Sequence, residues 1–398
     1  MADPLLLVAA SLVSLFVAWA IGAGSSGATP MAPAVGADAI TIARAVVVVG
    51  VVSFFGAVLQ GGAVTETVGT GLVDGIDPSP MLGFVSLLTA GVFVAVGVYS
   101  GYPVSTAFSV TGAVTGAGIA VGGTPNWAVY RTILATWALA PVAVGIVAYL
   151  TANVLWRYEE HNTLPLLGAI LGGLVPHLSF GFLGAKGEAG SFASAMPATV
   201  GVAVPEVSAA GVPATVVAVP GGVLLTLALA AAVAGVVRLD TVHEPAGAED
   251  RFLLGLGCLV AFSAGGSQVG FAIGPLLPLL DGTVPLQWVL VAGGLGLVAG
   301  TLTEAPRMIR AMGTEYADLG SYRSIAALLP AFALTQGAVL FGIPISFTQA
   351  IVCAISGSGY VAGMESVDEA KLGWTAVGWL GSFVGAFAVG FAVFSLLA

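Results

Sequence analysis

Residues 101–105 read Gly-Tyr-Pro-Val-Ser and residues 342–346 read Gly-Ile-Pro-Ile-Ser, an interval of 342 minus 101, or 241 residues. A second pair of stretches, Gly-Ala-Gly-Ser-Ser-Gly at 22–27 and Gly-Gly-Ser-Gln-Val-Gly at 265–270, stands 265 minus 22, or 243 residues, apart. Two unrelated motifs that return at nearly one interval mark a duplicated chain. The join falls between Arg238 and Arg251, the most polar stretch of the middle. The expected organisation is a first repeat over 1–160, connecting membrane segments and a polar linker over 161–250, and a second repeat over 251–398.

The motifs sit in an apolar chain. Of 398 residues, 58% are hydrophobic and 8% charged, with a mean hydropathy of +1.05. A water-soluble fold, which needs about a quarter of its residues charged, is excluded. Uncharged runs cover 5–21, 46–64, 81–99, 133–155, 164–183, 215–237, 252–280, 284–302, 325–341 and 374–397. Each approaches or exceeds the roughly 17–25 residues a helix needs to cross the hydrocarbon. Shorter apolar stretches dotted with hydroxyls follow Pro103 and Pro344. Lipid admits only helices and closed barrels, and runs of this length without alternation select helices. The fold class is therefore all-α and polytopic, with about a dozen crossing or half-crossing segments in the plasma membrane. The first segment lacks the basic start of a signal peptide and is read as retained. Cys258 and Cys353 fall in apolar runs, as small hydrophobes rather than a disulfide. The net charge of −10 and the absence of Lys/Arg clusters exclude nucleic acid as a partner. Arg307, Arg310 and Arg323 in one loop, with Arg238 and Arg251 flanking another, place both loops on the cytoplasmic side.

Paired Gly/Pro-interrupted segments in duplicated halves are the mark of a secondary transporter and point to its binding site. Gly22, Gly24, Gly27, Pro30, Pro33 and Gly36 crowd the first such segment, and Gly265, Gly266, Gly270, Gly274, Pro275 and Pro278 the second. Pro103 and Pro344 each precede a Ser, which puts a hydroxyl in the first turn of a new helix. Four half-helix N-termini facing one another would gather N–H donors into an anion site. The candidate substrate residues are Ser25, Ser26, Gly27, Ser105, Thr106, Ser267, Gln268, Ser346 and Thr348, whose polar groups donate without placing charge in lipid. Gln268 and Gln349 are the candidates for a coupling cation. The spacing at 22–27 also fits a dinucleotide fingerprint, but that fingerprint needs a preceding strand and a soluble βαβ unit. Glu66 and Glu304 flank membrane segments and are expected at the interface; His177, beside Pro176, is expected as a packed, hydrogen-bonded imidazole. No catalytic triad, metal-ligand cluster or P-loop is present, so no enzyme activity and no cofactor beyond a coupling Na⁺ or H⁺ is expected.

At these four motifs the chain resembles the inorganic phosphate transporter (PiT) family, whose signatures are G-A-N-D-V-A-N-A and G-L-P-[VI]-S-T-T-H in each half. The second-half match runs over 261–275 and ends in Ala-Ile-Gly-Pro, while 307–313, Arg-Met-Ile-Arg-Ala-Met-Gly, is similar to the family's K-V-I-E-T-V-G. The resemblance implies two inverted repeats around a central site, Na⁺- or H⁺-coupled uptake of a small inorganic anion, and often a homodimer. The functional positions depart from the family. Ser25-Ser26 and Ser267-Gln268 stand where it has Asn-Asp, Phe271 replaces a later Asn, and Phe108 and Gln349 replace the two final His.

Those departures bear on substrate choice. Monohydrogen phosphate carries an O–H that a carboxylate accepts, whereas sulfate has only acceptors and is repelled by one. The replacements resemble the sulfate permease branch of the family and favour sulfate over phosphate. The expected function is cation-coupled symport of a tetrahedral oxyanion. The alternatives are an anion channel, a phosphate-specific Na⁺ symporter with an unusual site, and a receptor or scaffold that transports nothing.

Overall fold

The computed structural model describes residues 4–77, 79–157, 163–180, 190–197, 200–205, 214–280 and 283–397. The chain divides into two compact units, one of Met1–Tyr158 with Glu249–Ala398 and one of Glu159–Ala248. The expected boundary at 160–161 lies outside the described residues.

In chain order the first unit begins with α1 (Pro4–Gly24), α2 (Ala32–Gly36), α3 (Ile42–Gln60), α4 (Gly62–Thr70), α5 (Pro80–Ser100), α6 (Thr106–Ala120) and α7 (Trp127–Arg157). The second unit holds α8 (Thr163–Leu174), the four-residue α9 (Phe192–Ala195) and α10 (Gly221–His243). The first unit resumes with α11 (Ala248–Ile273), α12 (Leu286–Thr303), α13 (Ala305–Thr314), α14 (Ser321–Leu340), α15 (Phe347–Gly359) and α16 (Glu369–Leu397). Among the described residues, nine helices are long and apolar enough to cross a membrane, and three shorter apolar helices begin at Thr106, Thr163 and Phe347. The expected all-helical polytopic membrane fold is what the chain adopts.

Three local expectations are corrected. The run 215–237 is not helical throughout: residues Ala214–Val219 form a strand paired antiparallel with Val200–Pro205, and α10 starts only at Gly221. Valine-rich sequence favours extended backbone, and Pro220 blocks the helix from growing backward. The run 164–183 is helical only to Leu174, followed by a single tight turn over Val175–His177; Pro176 accounts for the stop, and 181–183 lie outside the described residues. In that unit exposed His177 bonds the Thr226 hydroxyl at 3.1 Å. Arg307 and Arg310 lie on the helix α13 and Arg323 on α14, rather than together in one loop.

Glycine lets the membrane helices meet backbone to backbone, and the contacts are reciprocal between the halves. A Cβ on Gly22 would stand 2.0 Å from the Leu297 carbonyl oxygen, and one on Gly300 would stand 1.8 Å from that of Trp19, which fixes α1 against α12. Shifted by one repeat, a Cβ on Gly265 would stand 2.0 Å from the Ser53 carbonyl oxygen and one on Gly56 would stand 1.8 Å from that of Phe262, which fixes α11 against α3. The matching residues are 265 minus 22 and 262 minus 19, or 243 apart, and 297 minus 53 and 300 minus 56, or 244 apart. The same exchange recurs between α6 and α16, where Gly116 faces the Phe387 carbonyl, and between α15 and α7, where Gly357 faces that of Gly145.

Candidate substrate site

The repeated Gly-x-Pro-x-Ser motif builds the same corner twice. Gly101 (φ +76°) and Gly342 (φ +62°) are left-handed, a conformation that glycine adopts without a Cβ penalty and that ends α5 and α14. Two residues on, Pro103 and Pro344 cannot continue a helix. Ser105 and Ser346 then cap the next helices: the Ser105 hydroxyl accepts from the Phe108 N–H at 3.3 Å, and that of Ser346 from the Gln349 N–H at 3.2 Å. The helices so begun, α6 with 15 residues and α15 with 13, are about 20 Å long and fall short of the roughly 30 Å hydrocarbon. Their N-terminal caps meet, since the Ser105 hydroxyl donates to Ser346 Oγ at 2.8 Å.

Two tryptophans hold the corners, each from the opposite half. The indole N–H of Trp379 on α16 donates to the Pro103 carbonyl at 2.8 Å, and that of Trp137 on α7 donates to the Pro344 carbonyl at 3.0 Å. Phe108 stacks on Trp137 with ring centroids 3.9 Å apart.

Beside this pair of caps runs an ordered chain of hydrogen bonds. Thr348 in the first turn of α15 donates to Ser25 Oγ at 3.0 Å, Ser25 donates to Gln268 Oε1 at 3.3 Å, and Gln268 Nε2 donates to Ser267 Oγ at 3.2 Å. The structure thus draws Ser25, Ser267, Gln268 and Thr348 into one network and Ser105 with Ser346 into an adjoining one. None of the six is more than 5% exposed. Ser26 and Thr106 are equally buried, and their hydroxyls have no partner. Gly27 is a packing residue: a Cβ there would meet Thr301 Oγ1 at 2.1 Å and the Gly22 carbonyl at 2.0 Å. Gln349 stands apart from Gln268, its amide donating to the Trp137 carbonyl at 3.4 Å.

The expected four facing N-termini reduce to two. Only α6 and α15 present N-termini; Ser25 and Ser26 follow the C-terminal end of α1, and Ser267 and Gln268 lie within the unbroken α11. Glycine weakens a helix by about 1 kcal/mol per residue but does not break it, and the interruption waits for Pro275. The electrostatics therefore differ across the site. The caps at Ser105 and Ser346 present N–H groups and positive dipole ends, whereas the end of α1 presents carbonyls, the pole that suits a cation. No Asp, Glu, Lys or Arg among the described residues is buried.

The sequence reading missed a second polar cluster one turn away on α11. Ser263 donates to Gln336 Oε1 at 2.8 Å, and Gln60 Nε2 donates to the same oxygen at 3.4 Å. Gln60 Oε1 and Gln336 Nε2 are buried without partners. The available signal was an amide inside each of two membrane-length apolar runs, which is costly and marks function.

Residues 21–390 match the phosphate transporter family. The chain is 27% identical over 435 residues to inorganic phosphate transporter 2-1, chloroplastic, of Arabidopsis thaliana, with 94% of this chain and 69% of that protein covered. Its fold is similar to a solved structure titled the sodium-dependent phosphate transporter, with a TM-score of 0.80, 22% identity and 99% of both chains covered. The family match takes in all four motifs and both halves of this multi-pass membrane protein: a transporter of a small inorganic anion, it belongs to the phosphate transporter family.

Proposed function

We propose that the chain is a secondary active transporter in the plasma membrane that carries a tetrahedral oxyanion, sulfate in preference to hydrogen phosphate, by cation symport. The observation that carries this reading is the charge-free cluster at the meeting caps of α6 and α15. Its hydroxyls, amides and helix-end N–H groups are donors an acceptor-only dianion can use, with no carboxylate to repel it. Bonds now made within the cluster are redirected to the anion at little net cost, because neutral hydrogen bonds are exchanged for charge-assisted ones. The carbonyl end of α1, with Ser26 and Gln268, is where the coupling cation fits. A dianion entering against about 100 mV faces roughly 4.6 kcal/mol, at ~2.3 per charge, which a cotransported cation offsets.

The reading includes an inverted relation between the halves, which alternating access uses. α6 ends beside Val73 and Ile76 near the start of α5, while α15 ends beside Ala317 and Val367 near its finish. Two half-helices thus start together and run toward opposite ends of a spanning helix. Hydrogen phosphate is the second reading, favoured by the family and by what its named members carry. Uptake of labelled sulfate and phosphate into proteoliposomes under separate Na⁺ and H⁺ gradients tests both. Saturable accumulation above the equilibrium level is expected; flux that never exceeds it identifies a channel, and no flux of either anion sinks the proposal.

A further inference from the structure

A cavity of about 780 Å³ opens where α5, α13 and α16 converge, lined by Tyr102, Arg307, Arg310, Glu315, Lys371 and Trp374 among others. Three of the ten basic residues in the chain line this one space. Lys371 is committed: it pairs with Glu315 and its ammonium lies 5.9 Å and 5.1 Å from the Tyr102 and Tyr316 ring centroids. Asp368, the other acid of the lining, accepts from the Lys371 backbone N–H at 2.8 Å. Arg307 and Arg310 are exposed and have no ion pair or hydrogen bond from their guanidinium groups among the described residues. Three apart on one helix, they share a face, and two forked donors so placed match one tetrahedral oxyanion.

Of the two cavities along α5, the one at its C-terminal end carries the charge. The cavity meets α5 at its end, through Ser100, while a smaller cavity of about 200 Å³ meets α5 at its start, through Ser79 and Leu82. Along that helix, Ser86 of the smaller lining and Ser100 of the larger stand about 21 Å apart. Among the described residues, no charged side chain lines the smaller cavity. Basic residues on one face also serve topology, but topology needs no cavity, no aromatic walls and no pair of free guanidinium groups on one helix face.

We propose that Arg307 and Arg310 form a second oxyanion site at this mouth, separate from the buried hydroxyl cluster, for a doubly charged phosphate- or sulfate-type group, either free or carried as the headgroup of an anionic lipid. It lies against Tyr102, one residue before the Pro103 corner, so the bound anion sits on the loop that leads to the Ser105 cap. The site stands whether or not the central cluster transports.

Equilibrium binding to the full chain in detergent tests it, with inorganic sulfate, inorganic phosphate and a short-chain phosphatidylinositol phosphate as separate probes. Binding of at least one probe is expected, weakening with salt and falling about tenfold or more per arginine lost in R307Q/R310Q, with R307K/R310K, which keeps the charge and loses the fork, binding between the two. Saturation by the inorganic ions assigns a solution anion, and saturation by the lipid alone assigns a headgroup; both support the site. Failure of every probe to bind, or undiminished binding to R307Q/R310Q, overturns it. Melting temperature checks the fold of each variant, and proteoliposome uptake by the unaltered chain reads the central cluster independently.

Discussion

Gln268→Glu changes the charge at the centre of the proposed site with almost no change of shape. Gln268 is fully buried, accepts from Ser25 at 3.3 Å and donates to Ser267 at 3.2 Å. A carboxylate there keeps the acceptor that Ser25 uses and adds a negative charge beside the anion. Two unit charges about 4 Å apart at an effective dielectric of about 20 repel by about 4 kcal/mol, which is roughly a thousandfold in affinity, and a dianion feels more. Ser267→Ala removes one neutral hydrogen bond, about 1 kcal/mol, or roughly fivefold. The assay is the concentration dependence of initial sulfate uptake in proteoliposomes, with phosphate run in parallel. Gln268→Glu is expected to weaken sulfate transport far more than Ser267→Ala, and to weaken phosphate less, because hydrogen phosphate can donate its own O–H to the carboxylate. Equal or milder loss of sulfate transport than in Ser267→Ala refutes the argument from missing charge.

Ser346→Ala removes both a helix cap and the acceptor of the Ser105 hydroxyl, worth about 1 kcal/mol for the cap and about 1–3 for the stranded hydroxyl; a lower melting temperature is expected, and an unchanged one would contradict the capping role. Trp379→Phe leaves the Pro103 carbonyl without its 2.8 Å donor, and a loss of about 1–3 kcal/mol should be matched by Trp137→Phe at Pro344; a large effect at one and none at the other would argue against the reciprocal arrangement. Gly300→Ala drives a methyl to 1.8 Å from the Trp19 carbonyl and should cost at least about 1–3 kcal/mol, whereas Gly378→Ala meets open space and should melt no lower than the parent. Comparable melting of the two glycine variants would rule out backbone contact as the source of helix packing.

The membrane fold was legible because length and absence of charge suffice to specify a spanning helix, and the Gly-x-Pro-x-Ser corners were legible because each residue acts locally. Ser105 and Ser346 were placed as first-turn hydroxyls by the proline before them, with no knowledge of their partners. The behaviour of 265–270 was not legible. Its glycines read as a break, yet they let α11 lie on the Ser53 carbonyl, and tertiary packing overrides a weak intrinsic penalty. Gln60 and Gln336 were invisible as a pair because 276 residues separate them and neither belongs to a repeated motif. The same holds for the indoles, whose acceptors belong to the other half of the chain.

Those indoles carry a mechanical consequence. Each corner is moored to the final long helix of the opposite repeat, so a displacement of the Pro103 loop pulls on α16 and one of the Pro344 loop pulls on α7. Movement at either corner therefore strains an indole bond to the other half, so neither corner shifts far while both bonds hold.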